Sequence, residues 1–183
     1  MCADATFFEA LPVAAILESG DGGIDERFAD FVARQRGGGV AIEGVVMTFP
    51  DGRSQCGAML LVDVRSGESF TISQDLGAAS RSCRVDPAGV AAASRVLREA
   101  RERGAELVVV NRFGGLEAGG EGFAQELLAL MSEGMPVLTI VAERHLPAWR
   151  EFSGGAPVLP DDPSAWSAWL SRVLARPGAD TPA

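Results

Sequence analysis

Residues 107–123 read LVVVNRFGGLEAGGEGF, and the rest of the chain is best read outward from them. Four apolar residues, Leu107 to Val110, form a short run that ends in Asn111-Arg112. A glycine-rich turn comes next and leads into a helix start. A short apolar run of this length, closed by glycine, fits a buried strand. The pair that closes the run is unusual: an amide and a guanidinium rather than an acid or an apolar continuation.

Downstream the pattern alternates. A helix is expected over 122–132, a strand over 137–141, a short helix over 147–152 and a helix over 163–174. Upstream, Asp86 reads as the cap and Pro87 as the first residue of an alanine-rich helix that runs to Arg103 and stops at Gly104. Strands alternating with helices imply a parallel sheet covered on both faces.

The N-terminal half begins with the strand candidate PVAAIL, residues 12–17, and the turn ESGDGG. Ile24, Phe28, Phe31 and Val32 then fall at helical spacing, so 25–36 reads as an amphipathic helix ended by Gly37, Gly38 and Gly39. Strands over 40–47, 58–64 and 69–73, separated by turns at 50–52 and at Ser66-Gly67, read as an antiparallel meander.

Composition excludes several classes. The chain has 183 residues, 47% of them hydrophobic, enough for one buried core; the expected organisation is one domain over 1–175 and a disordered tail over 176–183. Twenty-five acidic against sixteen basic residues give a net charge of −9, which disfavours nucleic acid and anionic membrane as partners. The start of the chain lacks the basic and unbroken apolar character of an export signal, and no stretch is long enough to span a membrane, so a cytoplasmic protein is expected. Cys2, Cys56 and Cys83 are odd in number and widely spaced, which indicates neither disulfides nor a zinc site.

Parallel sheets bind ligands beyond the carboxyl ends of their strands. That rule selects 18–25, 111–121 and 142–145. The first loop lies where a GxxxxGK[ST] loop would surround phosphates with backbone N–H groups, a lysine and a magnesium-holding hydroxyl.

The order of glycine-rich turn, meander, alanine-rich helix, strand ending in FGGLE, and GMPVLTIV resembles the small THEP-type P-loop nucleoside-triphosphatases. It resembles still more an uncharacterised bacterial family related to them, which carries an Asn-Arg-Phe-Gly signature at this place. The resemblance covers roughly 12–152. It implies an α/β, P-loop NTPase-like three-layer fold: a mainly parallel sheet with helices on both faces and the meander as an insertion. It also implies departures from the active members. Asn111 stands for their metal-holding acid and Arg112 for the acid that activates water, while Gly114 and Glu117 match. In the first loop, Asp25 falls at the lysine and Glu26 at the hydroxyl. A carboxylate about 4 Å from a phosphate charge is repelled by roughly 4 kcal/mol at an effective dielectric near 20. Tight triphosphate binding is therefore not expected.

The candidate ligand-binding residues are Gly20, Asp21, Gly22, Gly23, Asp25, Asn111, Arg112, Gly114 and Glu117. No catalytic residue, metal ligand or cofactor is assigned. Asp21, Asp25 and Glu26 read more readily as helix-capping residues than as ligands. Arg112 offers fixed donors to an oxyanion, together with glycine N–H groups after the strand; alternatively it pairs internally with Asp21 or Asp25. His145 has no nucleophile to serve, Trp166, Trp169 and Val173 read as core, and Glu43, Asp51 and Asp63 as solvated. Three functional classes stay open: a non-hydrolysing binding or regulatory protein whose partner is a small anion, a nucleotide or another protein; a triphosphatase whose catalytic acids have moved, with Glu117 and Glu121 as candidates; and an accessory protein of molybdate-type oxyanion metabolism.

Overall fold

The most apolar segments occupy the middle of the sheet. β1 (Val13–Leu17), β5 (Leu107–Phe113) and β6 (Val137–Val141) are buried almost end to end, and they are flanked by β2 (Ile42–Thr48) and β7 (Val158–Leu159). The computed structural model describes residues 12–50, 58–73 and 85–175. Asp51, the three cysteines and the tail over 176–183 lie outside the described residues. Among the described residues the sheet has the order β4-β3-β2-β5-β6-β1-β7. The pairs β2/β5, β5/β6, β6/β1 and β1/β7 are parallel, and β3 (Leu60–Asp63) and β4 (Ser69–Thr71) continue antiparallel from β2.

Alternation along each strand builds two cores. Val13, Ala15, Val108, Val110 and Val137 face α2 (Pro87–Arg103), α4 (Ala124–Ser132) and α5 (Leu146–Phe152), with Leu97, Leu127 and Trp149 packed on them. Ala14, Ile16, Leu107, Val109, Leu138 and Ile140 face α1 (Ile24–Gly37) and α6 (Pro163–Leu174). There Trp166 meets Phe31 edge to face at 5.5 Å, and Phe28 at 6.2 Å. Trp166, Trp169 and Val173 are core residues, as their spacing indicated. The three layers arise because a parallel strand is apolar on both sides and needs a helix on each.

The structure adds to the sequence reading in four places. β5 runs on through Asn111 and Arg112 to Phe113, with a register shift between Val110 and Phe113 that re-aims the side chains between them. β7 and the single-turn α3 (Gly115–Ala118) carry no pattern long enough to read. Glu43 and Asp63 are buried rather than solvated. Glu43 accepts from Arg65 at 2.8 Å and from Arg103 at 2.8 Å, and Asp63 accepts from the Arg65 N–H at 2.9 Å. Gly44 is required where it stands: its φ is +117°, and a Cβ there would lie 2.0 Å from the Val109 carbonyl oxygen.

Two helices begin by the same device. Asp86 accepts from the Ala88 N–H at 3.0 Å and Asp162 from the Ser164 N–H at 2.9 Å, each directly before a proline. Asp86→Ala and Asp162→Ala are each expected to cost about 1 kcal/mol by loss of the cap, read as a lower urea midpoint with unchanged slope.

Candidate functional site

At the carboxyl ends of β1 and β5 the sequence brings together residues almost ninety positions apart. α1 starts directly after the glycine-rich loop, with Gly23 before its first residue, and this places Asp25 in its first turn at 1% exposure. β5 delivers Asn111, also 1% exposed, and Arg112 beside it. Asn111 Oδ1 accepts from the Met47 N–H of β2 at 2.7 Å, so its Nδ2 must be the atom that donates to Asp25 Oδ1, at 2.9 Å. Asp25 Oδ2 accepts from Arg112 at 3.0 Å.

Arg112 is held from its other side by Glu18, which comes directly after β1. Both terminal nitrogens donate to the Glu18 carboxylate at 3.1 Å, a bidentate fork. Burial alone would lower the Arg112 pKa, but the Glu18 hydrogen bonds and the Asp25 and Glu18 charges more than offset this and raise it. The guanidinium therefore stays charged. Of the two acids weighed as its partner, Asp25 fills that place; Asp21 does not, and Glu18 is the partner the sequence reading missed.

Asp21 belongs to a second cluster. It accepts from the Gly23 N–H at 2.9 Å and from Arg27 at 3.0 Å, while Arg27 also grips Asp161, which precedes α6, through two bonds. Gly20 and Gly22, both with φ of +82°, let the loop turn between these anchors. The Arg27 hydrogen bond and then the Gly23 N–H hold the Asp21 carboxyl down to about 2.

Gly114 and Glu117 form a third arrangement, outside the Asp25 cluster. Glu117, 6% exposed, accepts from the Gly114 N–H at 2.9 Å through one oxygen and from the Phe123 N–H at 3.1 Å through the other. The N–H groups of Gly119 and Gly120 go to carbonyls of α3, so of the glycines after β5 these three are spent within the loop. His145 Nε2 accepts from Arg144 at 3.1 Å. Among the described residues no three His, Cys, Asp or Glu side chains are grouped to hold a metal ion, and no helix is long and apolar enough to cross a membrane.

Residues 13–169 match the family described as "Protein of unknown function (DUF2478)", and the chain belongs to that family. It is 36% identical over 144 residues to the molybdenum import ATP-binding protein ModC 2 of Bradyrhizobium diazoefficiens. That alignment takes in 78% of this chain but only 16% of the relative, so the chain corresponds to a small part of a much longer protein. The solution structure of a human cancer-related nucleoside triphosphatase superposes with a TM-score of 0.62 and 15% identity, covering 88% of this chain and 94% of that one. At that identity the likeness is one of fold, the P-loop NTPase-like one expected from the sequence.

Removing Asp25 leaves the buried Asn111 amide without its acceptor and takes from the half-buried Arg112 one of its two carboxylates. Asp25→Ala is expected to cost about 3 kcal/mol, above the range of a lost helix cap, in a denaturant titration. For Asp21 the linkage has a definite sign. Its folded-state pKa is depressed, so its contribution is complete above the ordinary carboxylate value and is lost as pH falls towards about 2. Urea midpoints followed from about pH 5 down to about pH 2 are expected to fall less steeply in Asp21→Asn than in wild type.

Proposed function

We propose that this chain is a non-hydrolysing P-loop-like binding or regulatory module, in which internal ion pairs stand where an active relative holds phosphate and metal. The observation that carries the reading is Asp25, at 1% exposure in the first turn of α1, with Asn111 and Arg112 closed upon it.

The loop register supports it. Eight residues, Glu18 to Asp25, lead from the end of β1 into α1, which is the length of GxxxxGK[ST] between a strand and a helix. Counted on the observed helix start, Gly23 takes the second glycine, Ile24 the lysine and Asp25 the hydroxyl. This is one residue earlier than the sequence alone suggested. Either way no lysine is supplied, and Ile24 is fully buried. The carboxylate of Asp25 and the amide of Asn111 then exchange the roles of hydroxyl and acid, giving a neutral donor opposite a charge that the Arg112 guanidinium balances. Glu117 weighs against a triphosphatase with displaced acids, because both of its oxygens are engaged by backbone N–H groups.

A second reading, an accessory role in molybdate-type oxyanion metabolism, is favoured by one finding: the relative that carries a counterpart of this chain is named for ATP-binding in molybdenum import. Its partner would then be an ATP-binding protein of that kind.

One set of measurements addresses both. Phosphate release from a panel of nucleoside triphosphates with magnesium is expected to stay at background, and turnover that disappears in Glu117→Gln would overturn the first reading. Calorimetry with molybdate, tungstate, sulfate and phosphate on wild type and Arg112→Ala tests the second: binding by wild type alone supports it, and no binding leaves protein contact as the only form it can take.

A further inference from the structure

A concave surface lies at the end of α1 away from Asp25. It is a groove of ≈ 580 Å³ between the last turn of α1, the start of β2 and the turn after β3. With a rise of about 1.5 Å per residue, α1 separates it from Asp25 by roughly 16 Å. The two sites are therefore distinct. Ala33 and Val40 give it apolar walls above the buried Ile42, and Arg36 and Arg65 stand on its rim.

Charge distinguishes the two ends of the helix. Around Asp25 and the loop, the carboxylates of Glu18, Asp21, Asp25 and Asp161 face the guanidiniums of Arg112 and Arg27, an excess of two negative charges. In the groove the lining charges are Arg36, Arg65 and Glu43, an excess of one positive charge in a chain of net −9. Glu43 is itself neutralised twice over, by Arg65 and by Arg103 from α2. The α1 carbonyls that would otherwise repel an anion are bonded by the N–H groups of Gly38, Gly39 and Val40.

Both rim guanidiniums are steadied by one nitrogen. Arg36 NH1 donates to the Val64 carbonyl and Arg65 NH1 to Glu43 Oε1. The other edge of each carries no further bond among the described residues, which leaves a planar pair of donors suited to a carboxylate or phosphate. Gly37 widens the same space. Its φ is not left-handed, a Cβ there would meet nothing within 4 Å, and glycine is a poorer helix residue than alanine, so its backbone has no need of glycine. What glycine leaves is open room above the apolar walls.

We infer that this groove is a binding site for a small organic anion, a compact apolar body carrying one carboxylate or phosphate group. Its volume lies within the range of about 300 to 1,000 Å³ usual for small-molecule pockets. The anionic group sits between Arg36 and Arg65, and the body covers Ala33 and Val40.

Benzoate and phenyl phosphate supply the two possible heads on one body; phenol gives the body without charge, and inorganic phosphate the charge without a body. Amide chemical shifts of the full chain are followed through titration with each. The expected result is saturable movement of the Gly37, Gly39 and Ala41 amides with benzoate or phenyl phosphate, at least about tenfold tighter than with phenol or inorganic phosphate. That movement is expected to be lost in Arg36→Gln/Arg65→Gln, where Glu43 keeps Arg103, and in Gly37→Leu, which fills the space from a helix-compatible position. The inference is overturned by equal affinity for phenol, by unchanged binding in the double variant, by shifts confined to Glu18 and Arg112, or by no saturable shift with any probe.

Discussion

A carboxylate that is 1% exposed must be paired, and the pairing of Asp25 is the constraint on which this end of the molecule depends. Taking an ion that far out of water costs several kcal/mol, and a single partner does not recover it unless every lone pair is met. Here Asn111 meets one oxygen and Arg112 the other, and each partner is itself fixed from behind. Asn111 is tied to β2 through the Met47 N–H, and Arg112 to the end of β1 through Glu18. One buried charge thus ties α1, β2, β5 and the segment after β1 in a fixed geometry, and the N-terminal end of the helix dipole adds to its stability.

The parts of the fold that could be read from sequence are those whose signal is local. Asp86 before Pro87 and Gly104 after Arg103 mark both ends of α2, and the apolar runs 13–17 and 137–141 are strands because nothing but a buried strand suits them. The site was legible in its residues and in one pairing, that of Arg112 with Asp25, but not in the rest. Asp25, Asn111 and Arg112 could each be singled out by position, yet Glu18 is 94 positions from Arg112 and no spacing rule joins them. The start of α1 lies one residue before the expected position, because Gly20, Gly22 and Gly23 give no single place for the helix to start. Glu43 and Asp63 were misread for a similar reason: a polar residue in a strand looks solvated until Arg103, sixty positions on, is found against it. β7 has two residues and exists because β1 has an edge to offer.

The human triphosphatase shares the fold over most of both chains at 15% identity, so what the two have in common is the layered sheet. Function resides in sites placed on a fold rather than in the fold. In this chain the ion pairs at the carboxyl edge of the sheet carry more acids than bases, whereas Arg36 and Arg65 stand at the opposite end of α1.

The grip of Arg27 on Asp161 and Asp21 has a consequence for timing. In many nucleotide switches the loop beside the phosphates is disordered until the ligand arrives, and the change from disorder to order is the signal that a partner reads. Here residues 19–23 are anchored to the segment before α6 by side chains of the chain itself, so the entropy of ordering that loop is surrendered once, when the protein folds. A loop already still has no such transition left to report. The shape of this face is settled when the chain folds, by Arg27 and its two carboxylates.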